Sequence, residues 1–247
     1  MEDFYDIHCH ILYGVDDGSH SVNQSARMLD IAYGEGFRTI ILTPHYNRRF
    51  HFDDTEQLQN RFDTLCGKVE KHYPGMRLLR GNEIYYTEDT IEQLRLGQAS
   101  TMAGGRYVLL EFAPYVEFSR VKFAVNELVQ HGYIPIIAHV ERYDCFLHRP
   151  EDVEVLAEMG AYIQINADSV IGKNGRQTKK VVRKLLDRQQ VHFVATDCHG
   201  DTHRAPYMRK CADYIEKKYG HEYAEKIFHK NPQCIIDNEY IEDEETV

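Results

Sequence analysis

Nowhere in the 247 residues is there a run of about 18 apolar side chains, the length that a membrane-spanning helix needs. The amino terminus also lacks the basic-then-apolar pattern of a secretory signal, so the expectation is a cytoplasmic protein that is not embedded in a membrane. No C-x-x-C pair occurs among the cysteines at 9, 66, 145, 198, 211 and 234; neither a zinc ribbon nor a disulfide framework is indicated, and reduced thiols are expected. Positive charge is scarce: 29 Lys and Arg against 39 Asp and Glu give a formal net charge of -10, which argues against a nucleic-acid partner. A small anionic substrate stays open, because charge at a metal site can oppose the global sign. With no repeat, low-complexity tract or linker, a length of 247 residues and 43% hydrophobic content suit a single domain over 1–247.

What the chain does contain is an alternation of two patterns. Short apolar segments at 4–9, 38–43, 76–80, 107–111, 134–138, 161–165 and 191–196 read as strands covered on both faces. Between and after them, 23–34, 55–72, 88–96, 118–130, 150–159, 178–188, 206–219 and 222–228 read as helices, with Gly36, Gly132 and Gly160 as stop signals. Seven β/α units imply an α/β fold with a parallel sheet, and in this length a TIM-like barrel is favoured over an open doubly wound sheet.

Polar residues gather at one end of that scaffold. His8 and His10 share a face of the first strand, with Cys9 on the other. His45, Glu83, Glu111, His139, Asp197 and His199 fall at or just beyond the carboxyl ends of later strands, and Asp17 lies in the loop after the first. In a barrel that rim carries the chemistry. Each residue alone could be a helix cap or a structural hydrogen-bonding group, but four carboxylates crowded beside five imidazoles are tolerable mainly where cations compensate. A multi-metal centre follows. Imidazole mixed with carboxylate and no thiolate suits manganese, iron or zinc, and nine ligands fit two or three ions. Arg142 and Arg204, in rim loops, offer forked donors that match phosphate oxygens; surface ion pairs are the alternative use for each.

Those residues carry a resemblance. Asp6-Ile7-His8-Cys9-His10-Ile11-Leu12, Val15-Asp16-Asp17-Gly18, Thr43-Pro44-His45, Gly81-Asn82-Glu83-Ile84-Tyr85-Tyr86, Glu111-Phe112, Ala138-His139-Val140-Glu141-Arg142-Tyr143 and Ala195-Thr196-Asp197-Cys198-His199 occur in order over almost the whole chain. Together they resemble the polymerase and histidinol phosphatase (PHP) superfamily. Within it they are most similar to the bacterial manganese-dependent protein-tyrosine phosphatases encoded with capsule and exopolysaccharide genes. The resemblance implies a distorted seven-stranded barrel holding three divalent ions, most often Mn(2+), and a phosphotyrosine protein substrate, a bacterial tyrosine kinase that controls polysaccharide export. By position it implies that His8, His10, Asp17, His45, Glu83, Glu111, His139, Asp197 and His199 are metal ligands and that Arg142 and Arg204 bind phosphate. Tyr46 departs from the family pattern, where His or Arg is frequent. The alternative on the same site is a small-molecule phosphatase of the histidinol-phosphatase type.

The mechanism to expect is in-line attack by activated water, without a covalent phosphoenzyme. Glu141 and His203 are candidates for general-acid help. A rival lies in Cys198 to Arg204, which fits the Cys-x5-Arg spacing of cysteine-dependent phosphatases, but Asp197 and Asp201 would repel a phosphate dianion there. Tyr85 and Tyr86 could line a phosphotyrosine pocket or simply pack. His51, His72, His131, His148 and His192 read as ordinary residues away from the rim, 118–130 as a helix packed on the barrel, and 239–247 as a frayed acidic tail.

Overall fold

The computed structural model of the chain describes residues 3–47, 49–50 and 55–241; His51 and the tail from 242 onward lie outside them. Within the described residues the strands are β1 (Phe4–Cys9), β2 (Phe37–Leu42), β3 (His45–Tyr46), β4 (Arg77–Arg80), β5 (Glu83–Tyr85), β6 (Tyr107–Glu111), β7 (Ile134–Ile137), β8 (Tyr162–Asn166) and β9 (Phe193–Ala195). Every pairing is parallel, as expected where helices connect the strands. All seven expected strands are present within a residue or two, but they form two ladders, β1-β2-β4 and β3-β5-β6-β7-β8-β9, in place of one. The short strands β3 and β5 have a local cause. Pro44 has no N–H to donate, so the ladder stops at Leu42 and resumes at His45, while the Pro44 carbonyl accepts from Glu83 N at 3.2 Å and Asn82 Nδ2 at 2.9 Å. At Gly81 a Cβ would lie 2.9 Å from Met102 Sδ and 3.2 Å from Ile41 Cγ2; the chain passes too close there for a side chain.

Edge strands β1 and β9 meet at a parallel bridge between Cys9 and Cys198, where Asp197 N donates to His8 O at 2.8 Å and His10 N to Cys198 O at 2.9 Å. Alternation along the strands sorts the core into two apolar clusters. Ile41, Leu109, Ile136 and Phe193 belong to one, and their neighbours Ile40, Leu110, Ile137 and Val194 to the other, which also contains Leu29, Val125, Leu128 and Leu185 from the helices.

The helices start and stop for chemical reasons. Val22–Glu35 begins where Ser21 Oγ accepts from Gln24 N at 3.2 Å and ends at Gly36, whose φ of 102° a residue with a Cβ adopts only under strain. Phe118–Gln130 matches the expected span and buries Val121, Val125 and Leu128. Short helices at Asp144–His148, Ala167–Ile171 and Asn231–Asp237 were not expected; the first two have five residues each, too short to show a repeat in the sequence. The expected helix 222–228 is His221–Glu225 followed by a π-helical turn at Lys226–Lys230. No helix among the described residues is long and apolar enough to cross a membrane.

Candidate metal centre

The parallel topology delivers the polar residues to one place. His8 sits in β1 and His10 just after it, both fully buried, while Cys9 between them points into the apolar cluster. His45 and Glu83 are register partners at the starts of β3 and β5, so the breaks at Pro44 and Gly81 place an imidazole beside a carboxylate. Glu111 is the last residue of β6, His139 follows β7, and Asp197 and His199 follow β9. Asp17 reaches in from the turn after β1, in which Gly18 is obligatory: a Cβ there would lie 2.3 Å from the His10 carbonyl oxygen.

All nine side chains expected from the sequence converge. They form four overlapping groups whose ligand atoms lie within 4.8 Å of one another: His10, Asp17, His45 and His199; His8, His10 and Asp197; His8, Glu83 and His139; His45, Glu83 and Glu111. Glu83 is the hub, with Oε2 at 3.1 Å from His8 Nε2, 3.3 Å from His10 Nε2 and 2.9 Å from His45 Nδ1, and Oε1 at 2.7 Å from His139 Nε2. Asp197 Oδ1 lies 3.6 Å from His8 Nε2 and 3.5 Å from His10 Nε2.

Hydrogen bonds outside the cluster fix which ring nitrogens face inward. An amide or carboxylate oxygen can only accept, so His8 Nδ1 donates to Gln164 Oε1 at 3.1 Å, His10 Nδ1 to Asp16 Oδ2 at 2.7 Å and His199 Nδ1 to the Asp197 carbonyl at 3.0 Å. In the neutral ring each Nε2 then presents a lone pair inward, and the Nε2 atoms of His8 and His10 converge at 3.3 Å. His45 Nδ1 and Glu83 Oε2, both buried, make no hydrogen bond although 2.9 Å apart. Converging lone pairs and unpaired buried acceptors fit divalent cations, and the imidazole-carboxylate donor set suits the same ions.

Charge follows this geometry. Burial alone would depress His8, His10 and His45, but Glu83 for His8 and His45, and Asp16 for His10, raise them above the ordinary histidine value. His139 falls to about 4 through burial and the neighbouring Arg142 charge, and His199 to about 2 through burial and His10. Burial and repulsion from Glu83 lift Glu111 to about 7. Asp197 is held well below the usual range despite its burial, chiefly by Arg142 and His8. Arg142 Nη2 lies 2.6 Å from Asp197 Oδ2 and Arg204 Nη2 2.7 Å from Oδ1, both guanidinium groups about one-third exposed. The backbone is strained where it matters: His139, Asp197 and Arg204 have φ of 32°, 50° and 51°.

Four supporting residues escaped the sequence reading. Asp16, lowered to about 2 because His10 and backbone N–H groups outweigh its burial, orients His10 and also accepts from His45 N at 2.9 Å. Gln164 Oε1 takes His139 N at 2.8 Å as well as His8, its Nε2 donates to Asn166 Oδ1 at 2.8 Å, and Asn166 Nδ2 donates to Asp197 Oδ2 at 2.8 Å. Asp6, raised to about 6 by burial, holds Thr196 N at 3.0 Å ahead of the Asp197 turn. For Asp6, Gln164 and Asn166 the one signal was polarity inside otherwise apolar strands; Asp16, in the turn after β1, gave none.

Of the two general-acid candidates, Glu141 is 1% exposed and accepts from Asn166 N at 2.9 Å, so it braces β8 and does not face the mouth of the site. His203 lines a 280 Å³ cavity with Arg142 and Arg204. Cys198 is fully buried in the apolar cluster, Arg204 is bound to Asp197, and Asp201 pairs with Arg27 at 2.5 Å. A thiolate pocket of the Cys-x5-Arg kind is therefore not formed.

Known proteins resemble this chain over most of its length. The family model described as capsular polysaccharide synthesis, CpsB/CapC, matches residues 4–237. The chain is similar to the tyrosine-protein phosphatase CpsB of Streptococcus pneumoniae, 34% identical over 241 residues that span 96% of this chain and 99% of that one. It is also similar to the tyrosine-protein phosphatase YwqE of Bacillus subtilis, 33% identical over 218 residues, 88% of this chain and 85% of that one. A solved structure from work on YwqE of Bacillus subtilis and CpsB of Streptococcus pneumoniae, described as unique metal-dependent tyrosine phosphatases, superposes with a TM-score of 0.88 at 31% identity, covering 96% of each chain.

Proposed function

Because the chain belongs to the CpsB/CapC family of capsular polysaccharide synthesis, we propose that it is a metal-dependent protein-tyrosine phosphatase whose nine clustered side chains hold three divalent ions, manganese foremost. The observation that carries the proposal is the overlap of four ligand groups through Glu83, His8, His10 and His45, since shared donors are what a multinuclear site requires. Bound ions would supply the positive charge that phosphate needs and a water acidic enough to react near neutral pH.

The protein's own residues do the rest. Asp197 anchors Arg142 and Arg204 by one nitrogen each and leaves the remaining N–H groups toward the cavity they line, as a clamp for phosphate oxygens. The Gln164-Asn166 relay and Asp16 hold the rings of His8 and His10 and the Asp197 carboxylate at fixed angles. A tyrosine phenolate, with a pKa near 10, leaves more readily than a serine alkoxide, so weak acid help suffices. His203, at the mouth, is placed to give it.

We take the two ladders as one distorted seven-stranded PHP-type barrel in a single domain. In it β2 continues into β3 and β4 into β5, and the β1–β9 bridge joins the edges. The substrate is a phosphotyrosine protein, a bacterial tyrosine kinase on the family resemblance, met in the cytoplasm, where six free cysteines are at home. Hydrolysis of p-nitrophenyl phosphate and of a phosphotyrosine peptide, with manganese and with chelator, tests this. Manganese-dependent turnover of both is expected; absence of turnover under added manganese would show a silent scaffold.

A further inference from the structure

Next to Glu111 the surface opens into a pocket of about 580 Å³ that the metal centre does not use. Sheet register ties it to the centre: Tyr85 is the register partner of Glu111 across β5 and β6, and Phe112 follows Glu111 directly. The aromatic lining thus starts where the ligands end. Tyr115, 78% exposed, forms the outer wall, and Glu88, Asp89 and Glu117 stand on the rim. The pocket already displays its chemistry on one of its own residues: the Arg120 guanidinium sits 5.0 Å over the Tyr86 ring and 3.4 Å from Glu88 Oε1. On another flank, the cavity lined by Arg142, Lys173, Arg204 and one carboxylate, Asp168, carries a net positive charge. A phosphate would be drawn to the second flank and a cation to the first.

Resting on the phosphatase reading, we propose that this aromatic and acidic pocket binds a lysine or arginine side chain of the phosphoprotein, close in sequence to the scissile phosphotyrosine. The alkyl stem lies on Tyr85 and Tyr115, and the charge sits among Glu88, Asp89 and Glu117. The pocket then selects polypeptide substrates over small phosphate esters.

The test compares manganese-loaded enzyme on a set of phosphotyrosine peptides with Lys, Ala or Glu at each position beside the phosphotyrosine, with p-nitrophenyl phosphate as a substrate too small to reach the pocket. Expected is a kcat/KM about five- to tenfold higher for one lysine placement than for the matching glutamate peptide. That preference should collapse in Tyr115→Ala and weaken in Glu88→Gln, while p-nitrophenyl phosphate is hydrolysed as before. Equal turnover of lysine and glutamate peptides, with robust hydrolysis of the small ester, overturns the pocket assignment and leaves the phosphatase reading standing. Failure to hydrolyse any phosphotyrosine substrate overturns both. A Tyr115→Ala change that alters oligomeric state and leaves the peptide preference intact assigns the pocket to a second copy of the chain and overturns the proposal.

Discussion

Asp16 shows how much one carboxylate outside the ligand set can govern. It fixes the His10 ring by a 2.7 Å bond and ties the His45 backbone to the same turn, so Asp16→Asn should weaken metal affinity about 10- to 100-fold and be rescued by excess metal. A metal titration showing unchanged affinity would remove Asp16 from the positioning role. Protons give a second check. In the metal-free protein, His8, His10 and His45 are raised and Glu111 stands near 7, so these groups are at least partly protonated at neutral pH and must be stripped when cations bind. Apparent metal affinity should therefore rise with pH through this range and fall on acidification, with net release of protons on binding. Calorimetry in buffers of different ionisation enthalpy measures that release, and none would contradict the clustered site. Cys198→Ser should keep most phosphatase activity at a cost of about 1–3 kcal/mol for burying a hydroxyl in the apolar cluster. Near-complete loss with metal content unchanged would restore the thiolate mechanism. The nine converging side chains were legible in the sequence because strand ends announce themselves; Asp16, Gln164 and Asn166 were not, because a buried hydrogen bond to one of them leaves no spacing behind.

Strands and turns set the positions that those residues occupy. His45 and Glu83 come into register only because Pro44 interrupts one strand and Gly81 lets the next pass close to Ile41 and Met102. The sequence shows the apolar runs on either side and both interrupting residues, yet a two-residue strand such as β3 has no periodicity to read. The same holds for the five-residue helices after β7 and β8. The turn after β1 is the tightest of these devices. Gly18→Ala would place a methyl group 2.3 Å from the His10 oxygen and 2.4 Å from its Cβ, so the strand end must move. We expect about 1–3 kcal/mol of destabilisation and the loss of at least part of the bound metal, read by thermal unfolding and elemental analysis. Wild-type metal content in that variant would mean that the turn does not set the ligand geometry.

Across the whole molecule, the nine converging side chains, spread from His8 to His199, draw on both ladders and meet at one mouth. Parallel β/α succession made that mouth foreseeable, while the split into two ladders was not, since it depends on single residues at 44 and 81. A molecule of net charge -10 that must attract phosphate needs concentrated positive charge, which Arg142, Arg204 and bound cations would supply together on the proposed reading. On the proposed reading metal binds the folded chain, so free metal at 100 times its dissociation constant should add about 2.7 kcal/mol of stability. The most direct measurement is elemental analysis paired with phosphotyrosine turnover, on protein as purified, stripped by chelator and reloaded with manganese. About three ions per chain, activity abolished on stripping and regained in step with reloading, is the expected result. Full turnover by the stripped protein would contradict it.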